Sequence, residues 1–439
     1  MATTKTNDDD QGVAVCGLEM FGFGSRIHDS EYVSDAGLAN LRLYKYGCVD
    51  KSPVTKYVLS HYWNWAVTLF PMWMAPNLIT LIGFGFVVSN LFIVMYFIPD
   101  LYSPGPTWVY FSCAIGLWLY STFDNVDGKQ ARRTGTSSPL GELFDHGCDA
   151  LNCCIGSVNQ AACMSMGHSW YSAFLLLLTT LPFFLSTWEE YHTGVLYLGY
   201  VNGPTEGLIL ACLVMLISGF MGPLFWRSNA VELFGTGFGI IPDDWILLDL
   251  MVAGMTILMV VGHIPPCLIA VYKSCKEQNK SVIAAYSELL PMSLFLVSAY
   301  AWLSSPYSYI FKEQHFILFA VTIGIVFGRM ATKIILAHVT KSAFPYFTVQ
   351  LIPLIFGAFI TNAPVMFGWD PIFTADTEYY FLWAYFIFVA VAYAQWAVVV
   401  IDRFCTYLGI KCLSIPRPKA QQSEEEEGLI GTAPRNRQD

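Results

Sequence analysis

Ten apolar runs decide what this chain can fold into. They lie near residues 78–98, 107–123, 147–167, 169–187, 206–222, 249–272, 288–304, 316–338, 343–364 and 379–402. Each approaches the roughly 20 helical residues needed to cross about 30 Å of hydrocarbon. A segment immersed there must satisfy its own backbone N–H and C=O groups, which leaves the helix as the solution for runs of this length. The expected fold class is an all-α polytopic membrane protein with about ten transmembrane helices. Composition agrees, since 55% hydrophobic against 13% charged residues excludes an ordinary soluble domain. The formal net charge of −10 gathers in one internal stretch and the two tails, and gives no reason to expect a nucleic-acid partner.

An even number of spans puts both termini on one side of the bilayer, and the basic residues say which. With cytosolic termini, only Arg227 and Lys312 of the 23 Lys and Arg fall in non-cytosolic loops. That asymmetry follows the positive-inside rule. The N-terminal MATTKTNDDDQG has no cleavable signal pattern, so insertion is expected to begin at an internal span. Residues 1–76 read as a cytosolic tail followed by interfacial helices, with Arg42, Lys45, Lys51 and Lys56 among Trp and Tyr; a small soluble cap is the other reading. Residues 77–280 then form a six-span catalytic region and 281–404 a four-span region available as a dimer interface, before a low-complexity cytosolic tail at 405–439. The third run is weak, because Asn152, Ser157, Asn159 and Gln160 suit an interior cavity better than lipid. The 12 cysteines are scattered, mostly in apolar runs, and read as reduced structural thiols.

Between the second and third spans runs DNVDGKQARRTGTSSPLGELFDHGCD, from Asp124 to Asp149. Asp124 and Asp127 are spaced i, i+3 and Asp145 and Asp149 i, i+4, so on helices each pair projects from one face. Two facing pairs make a box of four carboxylates. Ionised carboxylates beside hydrocarbon need cations; oxygen donors suit magnesium, manganese or calcium, and two metals held by shared carboxylates are a recurrent device for displacement at phosphorus. Lys129, Arg132 and Arg133 place positive charge where phosphate would sit. Gly128 and Ala131 leave room for close approach to the backbone.

The pattern D-x2-D-G-x2-A-R-x8-G-x3-D-x3-D is met at Asp124, Asp127, Gly128, Ala131, Arg132, Gly141, Asp145 and Asp149. It is the signature of the CDP-alcohol phosphotransferase family. The wording around it resembles the eukaryotic choline/ethanolaminephosphotransferase branch, as do WMAPNLIT at 73–80, WEEYHTG at 188–194, GPTEG at 203–207 and AHVTKS at 337–342. The resemblance covers roughly residues 31–410. It implies transfer of phosphocholine or phosphoethanolamine from CDP-choline or CDP-ethanolamine to diacylglycerol, in a homodimer of the endoplasmic reticulum or Golgi membrane with a cytosol-facing site. Asp124, Asp127, Asp145 and Asp149 are then the expected metal ligands. Asn77, Asp124, Gly128, Lys129, Ala131, Arg132 and Gly141 are the expected CDP contacts, with helix capping the other reading of Asn77.

The acceptor hydroxyl must lose a proton as it attacks. His146, inside the box, is the expected base, because a neutral imidazole takes a proton near pH 7. Glu206, in the GPTEG wording, is expected to orient His146 or relay its proton. Trp118, Tyr120, Trp188 and Tyr191 are aromatic candidates for a quaternary ammonium, though interface belts account for such residues equally well. Arg329 and Lys333 are expected to snorkel to the interface. Two other functions fit the box: a transferase that takes CDP-diacylglycerol with a soluble alcohol, and a divalent-metal transporter.

Overall fold

The computed structural model describes residues 32–235 and 241–415, so most of both expected tails lies outside the described residues. The long helices are α1 (Pro76–Phe97), α2 (Thr107–Thr134), α3 (Pro139–Cys163) and α4 (Trp170–Thr193), then α5 (Gly203–Met221), α6 (Leu247–Glu277), α7 (Val282–Ser304), α8 (Phe316–Thr340), α9 (Leu351–Phe367) and α10 (Ala375–Leu408). Seven of them, α1, α4, α5, α6, α7, α8 and α10, are long and apolar enough to cross a membrane by length and composition. The polytopic, largely helical expectation stands on these. α2 and α3 carry the acidic stretch, and α9 has only 17 residues.

Three boundaries differ most from the hydropathy reading. α2 runs past 123 to Thr134 before Gly135, at φ +67, ends it in a left-handed cap. α3 begins at Pro139 instead of 147, because Ser138 accepts from the Gly141 N–H as N-cap and Pro139 occupies the first helical position. The acidic stretch is therefore helical on both sides of a tight turn. α9 starts at Leu351, later than 343, since Pro345 disfavours helix at the residue before it.

α3 and α8 form the centre. In α8, 78% of the apolar window is buried, against 11% in α6, so α8 is enclosed by the other helices where α6 lies at the periphery. The close approach is made by glycines: a Cβ at Gly324 would stand 2.6 Å from Cys154 Cβ, and one at Gly328 2.7 Å from Leu151 Cδ2. α1 and α2 pack on the other flank of α3, where Ile79 and Val126 are fully buried.

The N-terminal segment is less helical than expected. It has short helices at Asp35–Asn40 and Ser60–Ala66, and a strand β1 (Cys48–Asp50) that pairs in parallel with β2 (Leu196–Leu198) after α4. The segment is bolted across the helix ends nearest the acidic turn. Asn40 Nδ2 donates to Thr340 O at 2.9 Å, Arg403 pairs with Asp35 at 2.7 Å, and Gln130 Nε2 donates to Pro71 O at 2.9 Å. The opposite helix ends are stitched separately. Phe316 N–H donates to His168 Nδ1, which leaves the ring's Nε2–H for Pro99 O, and Arg227 Nε donates to Ser165 O. Arg329 stacks over Trp396 at 3.8 Å and Lys333 donates to Phe347 O at 2.6 Å, both lining a cavity of about 450 Å³.

Candidate active site

The hairpin of α2 and α3 brings the two aspartate pairs together. One carboxylate oxygen each of Asp124, Asp145 and Asp149 lies within 4.8 Å of the others. Asp127 is buried, and the Thr80 hydroxyl of α1 donates to its Oδ2. Tyr120 donates to Asp149, and Asn125 Nδ2 reaches Asp124 Oδ2 at 3.4 Å. Asp124 Oδ1 and Asp145 Oδ1 are buried with no hydrogen-bond partner among the described residues. Such oxygens are costly in low dielectric unless a cation meets them. The donor set is all carboxylate, the set preferred by hard divalent ions.

The wall beside the box is bare. A Cβ at Gly128 would meet only Arg132 Nη1, at 3.7 Å, and one at Gly141 would meet Asn77 Oδ1 at 3.8 Å. Gly128, Ala131 and Arg132 follow Asp124 at four, seven and eight residues, so they continue its face toward the turn. Arg132 is exposed and has no hydrogen bond or ion pair among the described residues. The flanking bases are engaged instead: Lys129 donates to Asn64 Oδ1 at 2.8 Å, and Arg133 to the carbonyls of Val67 and Phe70 at 2.9 Å.

Asn77 does not cap α1. The N-cap is Ala75, and Asn77 is buried one position past Pro76, with its Nδ2 3.6 Å from Cys412 Sγ and its oxygen beside Gly141. Glu206 sits in the π turn that opens α5. Its carboxylate accepts from the Ser52 hydroxyl and from the Asn202 N–H at 3.0 Å, so its direct partners belong to the N-terminal segment and its own loop. The carboxylates whose charges bear most on His146 are Glu190, Glu142, Asp149 and Asp127.

Glu142, Glu190, His338 and Tyr44, none of them among the expected site residues, meet beside His146. Glu142 was within reach, since it precedes Asp145 by three residues and His146 by four on one helix. Of the aromatic candidates, Tyr120 is bonded to Asp149 in the box, Trp118 packs beside Tyr62 with ring centroids 5.8 Å apart, and the other two are engaged elsewhere. Trp188 is fully buried and donates to Glu288 Oε2 at 3.0 Å, which also meets His192 at 2.6 Å; Tyr191 donates to Ser342 O at 3.0 Å.

Residues 73–241 match the family model described as CDP-alcohol phosphatidyltransferase. Choline/ethanolaminephosphotransferase 2 of Arabidopsis thaliana is 36% identical over 89% of this chain and 100% of its own. Cholinephosphotransferase 1 of Saccharomyces cerevisiae is 34% identical over 75% of this chain and 85% of its own, and choline/ethanolaminephosphotransferase 1 of the same yeast is 37% identical over 74% and 83%.

Proposed function

The chain belongs to the CDP-alcohol phosphatidyltransferase family, and from that premise we propose that it transfers phosphocholine or phosphoethanolamine from CDP-choline or CDP-ethanolamine to 1,2-diacylglycerol. The products are phosphatidylcholine or phosphatidylethanolamine and CMP, the closing step of the CDP-alcohol routes. The site faces the cytosol in the endoplasmic reticulum or Golgi membrane, and the protein is a homodimer that uses the 281–404 region as interface. The observation that carries the reading is the carboxylate box with its two orphaned oxygens.

Two magnesium or manganese ions held by Asp124, Asp127, Asp145 and Asp149 would offset the diphosphate charge and the charge left on departing CMP. Arg132 takes a phosphate oxygen, and its freedom from protein partners supports that duty. Gly128, Ala131 and Gly141 let the diphosphate lie against the backbone, with Asn77 and Lys129 at its edges. His146 accepts the proton of the acceptor hydroxyl as that oxygen bonds to the β-phosphorus and the bridging bond to CMP breaks. Glu206 acts at one remove, holding the segment around Ser52 across the mouth of the site.

The test is incorporation of labelled donor by the purified protein with magnesium and diacylglycerol. Transfer from CDP-choline or CDP-ethanolamine is expected. Incorporation from CDP-diacylglycerol and a soluble alcohol, with none from these donors, would overturn the reading.

A further inference from the structure

Glu142 lies about 5 Å nearer the hairpin turn than Asp145, on the same helical face. Glu190 of α4 and His338 of α8 meet it there, one ligand atom of each lying within 4.8 Å of the others. All three are buried, at 7%, 4% and 6% exposure. Tyr44 donates to Glu142 Oε2, but Glu142 Oε1 and His338 Nδ1 have no partner among the described residues. The Glu190 carboxylate makes no hydrogen bond or ion pair among the described residues either, and no ring nitrogen of His338 lies within 4.0 Å of a carboxylate oxygen of either acid. The positive charge that bears on Glu190 comes first from His146 and then from Lys341, an exposed residue past the end of α8. Two buried carboxyl groups and the His338 imidazole therefore converge beside His146 on a space that no buried Lys or Arg among the described residues enters.

We propose that Glu142, Glu190 and His338 form the subsite for the ammonium headgroup of the donor, an inference that rests on the transfer reaction above. Reach agrees: the two methylenes of these alcohols put nitrogen roughly 5 Å from phosphorus, which matches the helical rise from Asp145 to Glu142. Spacing agrees as well. A primary ammonium that donates three bonds of about 2.9 Å in tetrahedral directions needs acceptors about 4.7 Å apart. A divalent ion bound at about 2.1 Å needs donors only about 3 Å apart, closer than His338 stands to either acid. The subsite thus reads a primary ammonium through three hydrogen bonds and a quaternary ammonium through charge alone.

Donor kinetics of the purified full-length protein test this, with magnesium and diacylglycerol, CMP as competitive inhibitor, and the CDP ester of 3,3-dimethylbutanol as a neutral isostere of CDP-choline. Glu190→Gln is expected to raise KM for both charged donors about tenfold or more. It should also erase most of the preference over the neutral donor and leave inhibition by CMP unchanged. His338→Gln, which keeps both charges, is expected to raise KM for CDP-ethanolamine more than for CDP-choline, and it serves as the readout should Glu190→Gln fail to fold. An unchanged KM ratio between charged and neutral donors overturns the subsite, as does an equal weakening of CMP inhibition, which would mark a support for the box. A third tightly held metal ion per chain, lost in Glu190→Gln, overturns it in favour of a metal centre. Wild-type protein that transfers from neither charged donor overturns the transfer reading itself, and the subsite with it.

Discussion

Asp145 and Asp149 occupy one face of α3, a turn apart, and each meets carboxylates from α2 with few donors to share. Asp145→Asn or Asp149→Asn keeps the shape of the side chain and removes the charge that would hold a divalent ion. Either change is expected to lower transfer by at least about a thousandfold, by analogy with the loss of a principal electrostatic group, while insertion and the gel-filtration profile in detergent stay unchanged. Normal turnover in either variant would remove that residue from the metal set. His146 makes a different prediction because its part is confined to the proton. His146→Ala should cut kcat by about 10²–10⁴-fold and leave the inhibition constant of CMP nearly unchanged. Near-normal kcat across pH 6–9 would assign the proton to another group or to water.

The hairpin of α2 and α3 was legible in part. Apolar runs flank it and aspartates fall at helical spacing, but hydropathy alone ends one run at 123 and starts the next at 147, and the N-cap Ser138 with Pro139 is what starts α3 earlier. Its neighbours were not legible. Glu142 near the start of α3 meets Glu190 near the end of α4, His338 joins them from α8 after three intervening spans, and Glu206 meets Ser52 across 154 residues. Glu142, Glu190 and His338 each fall in wording shared with the branch, GELFDHGCD, WEEYHTG and AHVTKS, but a single sequence does not say that these stretches meet. The central place of α8 is similar: hydropathy makes it one span among ten, and only its glycines, spaced i, i+4, hint at close packing. That hint is testable. Gly324→Ala forces a Cβ to 2.6 Å from Cys154 Cβ, two rigid atoms on the two most central helices. Destabilisation of about 1–3 kcal/mol is expected, read as a lower thermal midpoint in detergent. Gly85→Ala meets nothing within 4 Å and is the control, expected to hold or raise the midpoint. Equal midpoints for the two would show that α3 and α8 separate more easily than their packing implies.

At the scale of the whole molecule, function depends on which way the hairpin points, because a nucleotide donor is water-soluble and its acceptor is not. The loops divide cleanly. The turn at 135–138, β1 with β2, and the segment after α8 share one side with the N-terminal segment. The loops holding Tyr102, His168, Arg227 and Lys312 share the other. Arg227 and Lys312 are also the two basic residues that the positive-inside rule would leave on the far side of the membrane. Even there each is engaged locally, Arg227 over the Tyr102 ring at 4.8 Å and Lys312 on Pro306 O at 2.5 Å, so their charges serve loop structure. The expected orientation therefore puts the acidic hairpin in the cytosol. Ser137 and Ser103 are exposed on opposite sides and suit single-cysteine labelling. In a background with Cys48, the exposed native thiol among the described cysteines, replaced by serine, a membrane-impermeant maleimide added to sealed microsomes should modify Ser137→Cys directly. It should reach Ser103→Cys only after the membrane is opened with detergent. The reverse pattern would place the box in the lumen, where a cytosolic CDP-alcohol could not reach it without a carrier, and the assignment of donor would have to change with the topology.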